Sequence, residues 1–357
     1  MRRNMFKINL KYLGLFVLAI FLGISSDCVG ASGQTSPTPQ KTFKIYMVLW
    51  SGEDALTKGF MDYLKRQNIS AEYIIRNSNQ DRKKAHEFVK EIRELKPDLI
   101  FTWGTPTCEE IGGKIDAPNK DEYIWDIPMV SLIVTDPIAA KLIYSLEKPG
   151  RNITGVNHVA PETAHIEAMK SYKSSVKKIA AFFNPAETNS QIMVDRMIRD
   201  SGNFGVEVKA YPVTLDEHKK PIPASIPGII EQIHRDKADF IYMPADTFLS
   251  VNMGMVVEGV TKYKIPTFGS TESQFFGEKK PLMGLLSRFY NVGLLGGFKA
   301  EQILMGGMKP EDIPYEKLKN FSLLVSPDMF KTIGVYPPLS MLGYAEILPQ
   351  QAQSKKN

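Results

Sequence analysis

The sequence predicts an α/β protein made of two doubly wound lobes with a ligand cleft between them. Three observations carry that expectation. From Thr42 onward continuous apolar runs alternate with amphipathic stretches, the connections are mostly short, and the whole alternation restarts after Pro161. Strands covered on both faces read as unbroken apolar runs. Strand–helix alternation with short connections specifies a parallel sheet wound by right-handed crossovers. At 357 residues the chain is long enough for two such units, each with its own core.

In the first unit Phe43–Trp50 is a buried strand, and the helix after Ser51-Gly52-Glu53-Asp54 runs to about Gln67, with Leu56, Phe60, Met61 and Leu64 on one face. Ala71–Ile75 is the second strand, Asp81–Leu95 an amphipathic helix, and Asp98–Trp103 the third strand. Gly104-Thr105-Pro106 opens the next helix. Residues 114–126 are a polar insertion, read as a surface loop in preference to a lid. Val130–Asn157 is the pivot. Val130–Val134 is a strand, Asp136 an N-cap with Pro137 at the first helical position, and Ile138–Leu146 has helical spacing. Lys148-Pro149-Gly150-Arg151-Asn152 turns the chain, and Ile153–Val156 is a strand leading out of the unit.

The second unit repeats the pattern. Glu162–Tyr172 is helical and Lys178–Phe183 is a strand; Thr188-Asn189-Ser190-Gln191 forms a capping-box pattern for a helix to about Asp200. Strands follow at Val206–Tyr211, Asp239–Met243, Ile265–Gly269 and Leu282–Leu286, with helices at Gly228–His234 and Phe248–Tyr263. A helix over Val292–Met305, a late strand at Phe321–Val325 and a short helix at Pro327–Ile333 complete the chain.

The first 31 residues read as a secretory signal peptide: Arg2, Arg3, Lys7 and Lys11, the apolar run Tyr12–Ile24, then small residues to a cut after Ala31. An uncleaved anchor is the alternative, although the apolar run is short for a span of about 20 residues. Cys28 offers a third, a lipid anchor, with Asp27 fitting that pattern badly. Residues 32–41 are a flexible tether. Four of the 44 basic and one of the 39 acidic residues lie in 1–31, so the net charge of +5 falls to near +2 without them. That leaves no electrostatic basis for nucleic-acid binding. Cys108 would be the lone remaining thiol, which excludes a disulfide framework.

Enzyme motifs are missing. The chain has no Gly-x-Ser-x-Gly, no His-Glu-x-x-His and no phosphate loop, and His86, His158, His165, His218 and His234 are scattered without ligand spacing. No metal, no cofactor and no catalysis are expected.

Short segments in a fixed order carry a resemblance: Lys96-Pro97-Asp98-Leu99-Ile100 leading to Gly104-Thr105-Pro106, Val134-Thr135-Asp136-Pro137, Pro149 to Val156, Asn184 to Ser190, Asp246, Ile265-Pro266, and Leu304 to Pro310 with Ile313-Pro314. From Phe43 to about Pro349 the chain resembles the substrate-binding proteins of ABC transporters, in the family that includes tryptophan-binding and other aromatic-amino-acid-binding members. The resemblance implies a type I periplasmic binding protein fold, with flavodoxin-like lobes joined by three crossovers near Val156–Val159, Leu286–Arg288 and Lys309–Asn320. It divides the chain into 42–157 plus 288–312 as the first lobe and 158–287 plus 313–349 as the second, with a disordered tail over 350–357. It implies a monomeric periplasmic protein that binds an amino acid or related carboxylate and hands it to ABC permease and ATPase subunits. The alternative role is a sensory module that reports its ligand to a membrane receptor.

Ligands of open parallel sheets bind beyond the carboxyl ends of the strands, which singles out residues there. Trp50 and Trp103 can wall a flat group or pack into the core, and Ser51 follows Trp50. Gly104 and Thr105 open a helix whose free amides suit a carboxylate, and Thr135 and Asp136 open another, with Asp136 either contacting ligand or only capping. Asn189 and Ser190 offer polar side chains at the second lobe's rim. Asp246 can pair with an ammonium or cap the next helix. Thr271 is a further candidate, and Arg288 can clamp a carboxylate or bridge the lobes. Trp125, in the insertion, is read as a packing residue.

Overall fold

The protein is seen in a computed structural model that describes residues 41–350. The expected signal peptide with Cys28, the tether before Lys41 and the tail beyond Gln350 lie outside the described residues.

The first lobe begins with β1 (Phe43–Leu49), α1 (Ala55–Arg66), β2 (Ala71–Asn77), α2 (Arg82–Leu95), β3 (Leu99–Trp103), α3 (Thr105–Gly112), β4 (Met129–Val134) and β5 (Ile153–Asn157). The second lobe follows with α4 (Glu162–Tyr172), β6 (Lys178–Phe183), α5 (Thr188–Ser201), β7 (Glu207–Pro212), α6 (Ile226–Arg235), β8 (Phe240–Met243), α7 (Thr247–Val251), α8 (Met253–Tyr263), β9 (Thr267–Gly269) and β10 (Met283–Leu286). The chain returns to the first lobe with α9 (Phe289–Leu304) and β11 (Glu316–Lys317). It ends in the second with β12 (Ser322–Val325), α10 (Pro327–Ile333), α11 (Leu339–Leu342) and β13 (Glu346–Ile347).

The first sheet has the order β11-β5-β4-β3-β1-β2 and the second β13-β12-β10-β9-β8-β6-β7. All pairings are parallel except β10 with β12. The expected pair of doubly wound lobes is therefore the fold. Alternate residues of β1 serve opposite layers. Ile45, Met47 and Leu49 pack with α1 and α9, while Tyr46 and Val48 pack with α2 and α3. Cys108 is buried in that second layer, and burial pushes its thiol up to about 11.

Local chemistry sets the helix ends. Asp54 caps α1 by accepting from the amides of Leu56 (2.9 Å) and Thr57 (3.2 Å), while the Thr57 hydroxyl accepts from the Asp54 amide at 3.0 Å. Asp81 caps α2, and Lys96, in the left-handed conformation, stops it. Helix α9 lies against α1 through two glycines. A Cβ at Gly59 would sit 2.2 Å from the Tyr290 carbonyl oxygen, and one at Gly293 would sit 2.1 Å from that of Leu56.

The strands leaving and re-entering the lobes lie side by side. The Ser287 hydroxyl donates to the His158 carbonyl at 2.5 Å, and the Leu318 amide donates to that of Asn157 at 3.3 Å. The third crossing lies within the expected stretch 309–320, but the lobe boundary inside it moves. Because β11 pairs with β5, the chain leaves the first lobe after Lys317, whereas 313 was expected to begin the second-lobe segment.

Other expectations also need correction. Ile138–Leu146 is a single turn rather than a helix. Asp136 caps it, but Lys141 adopts φ +57° and turns the chain, so that Leu142 and Ile143 fill the core under β4. The helix expected over Phe248–Tyr263 breaks at Asn252 into α7 and α8. The expected capping box at Thr188 is displaced, since Glu187 is the N-cap of α5 and its side chain turns away to other amides.

Candidate functional site

The carboxyl ends of strands from both sheets meet around a cavity between the lobes. On the first-lobe side Trp50 directly follows β1, and its indole N–H is buried without a partner. Trp103 ends β3. Its Nε1 donates to Asp54 at 2.9 Å, and its ring stands edge-on to Phe289 at 5.8 Å, so the indole is held in place as it lines the cavity.

Gly104 is the N-cap of α3 at φ +90°, a conformation that strains any L side chain. Having no side chain, it leaves the first-turn amides uncapped. Thr105 is 2 % exposed, and its hydroxyl has no hydrogen-bond partner. Pro106 and Thr135 complete this rim.

Between them Ile133 lines the cavity from a bulge at the end of β4, where the register with β5 shifts between Leu132 and Val134. Its φ of +59° is an outlier for a β-branched residue. Strain of this kind persists only where the surrounding structure holds it, and it collects at ligand sites.

The second-lobe side has the opposite polarity. In the first turn of α5 the Asn189 amide nitrogen donates to the Ala245 carbonyl at 2.5 Å, which leaves Oδ1 buried and bare. Asp246 is the N-cap of α7. It accepts from the Leu249 amide at 2.8 Å, the Asn184 amide at 2.6 Å and the Ser190 hydroxyl at 2.5 Å. Glu187 takes the next two amides, Thr247 at 2.9 Å and Phe248 at 3.1 Å. Burial, and then the Glu187 carboxylate beside it, push Asp246 well above the usual carboxylate range. Thr247, Thr271 and Ser273 line the same side.

His158, from the first crossover, closes the floor. Neither ring nitrogen makes a well-formed hydrogen bond, and burial pushes its pKa down to about 3, with the Val134 carbonyl offsetting little of that. The imidazole is therefore neutral. The space these groups enclose is about 30 Å³, roughly the share of one water molecule.

Of the residues expected here, Trp50, Trp103, Gly104, Thr105, Thr135, Asn189, Asp246 and Thr271 line the cavity. Four do not. Ser51 is exposed outside it. Ser190 is buried behind Asp246 and holds that carboxylate. Asp136 caps its turn and pairs with Arg196 of α5. Arg288 meets Glu272 at 3.0 Å and Glu346 at 3.6 Å, both in the second lobe, so these carboxylates occupy its guanidinium. His158 and Ile133 were not expected. The scattered histidine spacing hides the first, and a positive φ leaves no mark in an apolar run.

A wider depression of about 570 Å³ lies at the other end of the first sheet, where Phe43, Asp98, Pro128 and Asn152 begin or precede strands. Several of its charged groups are engaged. Lys41 pairs with Asp98 at 2.7 Å, and Arg151, stacked on Trp125 at 3.6 Å, donates to the Gly113 carbonyl at 2.8 Å and to that of Gly112. The insertion containing Trp125 packs there, away from the cavity. Among the described residues no group of His, Cys, Asp or Glu is placed to hold a metal ion, and no helix is long and apolar enough to cross a membrane.

A family model described as ABC transporter substrate binding protein matches residues 45–347. A tyrosine-binding protein of Clostridioides difficile (strain R20291) is 25% identical over 339 residues, 92% of each chain. Among solved structures, an ABC domain from Streptococcus pneumoniae in complex with L-Trp matches with a TM-score of 0.74 at 23% identity, over 87% of this chain and 100% of that one. The ligand-free, open form of a substrate-binding protein with adhesive properties from Clostridium difficile matches with 0.66, also at 23% identity, over 87% and 100% of the two chains. A conserved domain protein from Vibrio cholerae matches with 0.75 at 22% identity, over 86% and 99%.

Proposed function

The chain belongs to the ABC transporter substrate binding protein family, and on that premise we propose that it is an exported receptor for an amino acid, which it carries to a membrane importer. One observation carries the amino-acid reading: the two walls of the cavity offer opposite halves of a zwitterion's complement. The first lobe presents donors, namely the Thr105 hydroxyl, the open end of α3 and the Trp50 indole N–H. The second lobe presents acceptors, namely Asn189 Oδ1 and the Asp246 carboxylate with Glu187 behind it. In this reading a carboxylate sits at the N-terminus of α3, where unpaired amides and the helix dipole favour negative charge. An ammonium sits against Asn189 and Asp246, supplying the positive charge that the two acidic side chains lack.

The ligand acts as the bridge between lobes. Each buried, unpaired polar group raises the free energy of the closed, empty state, and a ligand that satisfies groups on both walls favours closure. Motion falls to the three adjacent crossovers, which are short and tied to one another at Ser287–His158 and Leu318–Asn157. No bond is made or broken; membrane subunits recognise the closed form and draw it open. The names of the relatives, one binding tyrosine and one complexed with L-Trp, support an amino acid as the class.

Titration calorimetry of the purified protein against the L-amino acids tests the reading. At least one should bind, and Asp246→Asn should bind it at least 100-fold more weakly. A panel with no binder at millimolar concentration, or an Asp246→Asn variant as tight as the parent, would reject it.

A further inference from the structure

We propose that His158 reads the ligand's side chain, by hydrogen-bonding a polar hydrogen or lone pair at the far end of an aromatic ring. This rests on the amino-acid reading above and adds a specificity determinant to it. The residue is 1 % exposed, and both ring nitrogens are buried without a well-formed hydrogen bond. Its position is nonetheless fixed. The Ser287 hydroxyl holds its carbonyl at 2.5 Å, and its ring stands edge-on to Phe289 at 6.3 Å and 72°. The imidazole is thus placed by its backbone and by packing; the Val134 carbonyl is the acceptor near its ring, and at least one ring nitrogen is left bare.

The other open groups divide by type. Thr105 and Trp50 donate from one wall, and Asn189 and Asp246 accept from the other, which accounts for the carboxylate and ammonium common to all amino acids. His158 directly follows β5, in the crossover between the lobes, and belongs to neither set. Neutral imidazole presents one N–H and one bare nitrogen, so a phenol hydroxyl can donate its proton to the bare nitrogen, which a plain phenyl ring cannot do. The cavity surfaces that accompany it, Trp103, Ile133 and Pro106, are apolar and suit the body of a ring, which the lobes must part to admit, since the enclosed space is about 30 Å³. A ring ending in hydrocarbon would leave the imidazole buried and unpaired. Sites built around a polar contact reject analogues that lack it far more strongly than apolar pockets reject extra groups.

The test is calorimetric titration of the parent protein, His158→Leu and His158→Gln with L-tyrosine and with L-phenylalanine, which differ by one hydroxyl. The parent should favour L-tyrosine by tenfold or more. His158→Leu should bring the ratio close to one through loss of L-tyrosine affinity, and His158→Gln should retain part of it. As a readout that needs no variant, the ring ¹⁵N resonances of His158 should move on adding L-tyrosine and not on adding L-phenylalanine. An unchanged ratio in His158→Leu, an equal loss for both ligands, or a protein that binds other amino acids but neither of this pair overturns the inference while leaving the amino-acid reading intact. A parent protein that binds no amino acid overturns both.

Discussion

Asp136 of the first lobe and Arg196 of the second are joined as an ion pair across the gap between the lobes. Asp136 is anchored independently, because its Oδ1 accepts from the amides of Ile138 and Ala139, both at 2.9 Å. Arg196 comes from α5, the helix whose first turn carries Asn189. One side of the cavity is thus fastened by a contact that does not involve ligand. Arg196→Ala should therefore loosen the closed form. The pair is part-exposed, so about 0.5–1 kcal/mol is the expected scale, which converts to a two- to fivefold faster ligand dissociation. Stopped-flow dissociation rates check this, and a double-mutant cycle with Asp136→Asn, which keeps the cap oxygen, isolates the pair. An unchanged rate would mean that the contact does not resist opening.

Asp246 should couple ligand binding to protons. Burial and the Glu187 carboxylate beside it raise its pKa, so this pair of carboxyls takes up a proton more readily than an ordinary carboxylate does, and an arriving ammonium opposes that uptake. Affinity should then rise with pH below that raised value, with net proton release on binding. Calorimetry in buffers of different ionisation enthalpy measures the release directly. Asp246→Asn should abolish both the release and the pH slope.

Glu162, first residue of α4, links stability to pH in the other direction. It is 7 % exposed, and burial raises its pKa to about 7, with Asp200 adding to the rise and Arg199 and Lys317 opposing it. The folded state keeps a proton that the unfolded chain releases above its ordinary value of 4.5. Stability from this group is complete below pH 4.5 and is lost as pH rises toward 7, at about 1.4 kcal/mol per unit. Glu162→Gln removes the penalty. Its urea midpoint should gain on the parent steadily between pH 5 and pH 7.5, and parallel pH curves for the two proteins would refute the assignment.

Gly293 and Gly254 should respond oppositely to alanine. At Gly293 the new Cβ would lie 2.1 Å from the Leu56 carbonyl oxygen and force α9 from α1, at an expected cost of about 2–4 kcal/mol. At Gly254 in α8 nothing lies within 4 Å, so relief of glycine's backbone entropy should stabilise by about 0.5–1 kcal/mol. Urea denaturation of the two variants checks both signs.

How far these features can be read from sequence depends on which kind of physics produces them. Buried strands announce themselves: the apolar runs over Phe43–Trp50, Val130–Val134 and Lys178–Phe183 became β1, β4 and β6. So do strand ends followed by polar or small residues, which is why Trp50, Thr105, Asn189 and Asp246 could be placed near a cleft. What failed was local spacing overridden by tertiary demand. Ile138, Leu142, Ile143 and Leu146 have helical periodicity, yet one positive φ at Lys141 diverts the last three into the core and leaves Ile138 exposed. The two-residue strand Glu316–Lys317 is exposed and has no periodicity, so the lobe boundary inside the third crossover was placed at 313 and not after Lys317. Ser190 and Asp136 were placed near the right structure but serve other side chains. His158 was invisible because its importance is an absence of partners, which arises only once three distant crossovers converge.

The return of α9 to the first lobe also bears on the order in which the protein can assemble. Helix α9 covers the face of the first sheet that carries Ile45, Met47 and Leu49, and β11 closes that sheet's edge. Both lie beyond residue 288, after the whole central run of the second lobe. A ribosome emitting the chain from its amino end therefore produces a first lobe whose face of Ile45, Met47 and Leu49 has α1 but lacks its second covering helix until some 240 further residues, counted from the end of β1 to Phe289, have followed. The second lobe's strands β6 to β10 are contiguous, but β12 pairs with β10, and Leu323, Val325, Met329 and Ile333 enter its core only after α9 and β11 have been made. Neither lobe is complete until these late segments have emerged, so both keep an open sheet edge or face through most of the chain's manufacture.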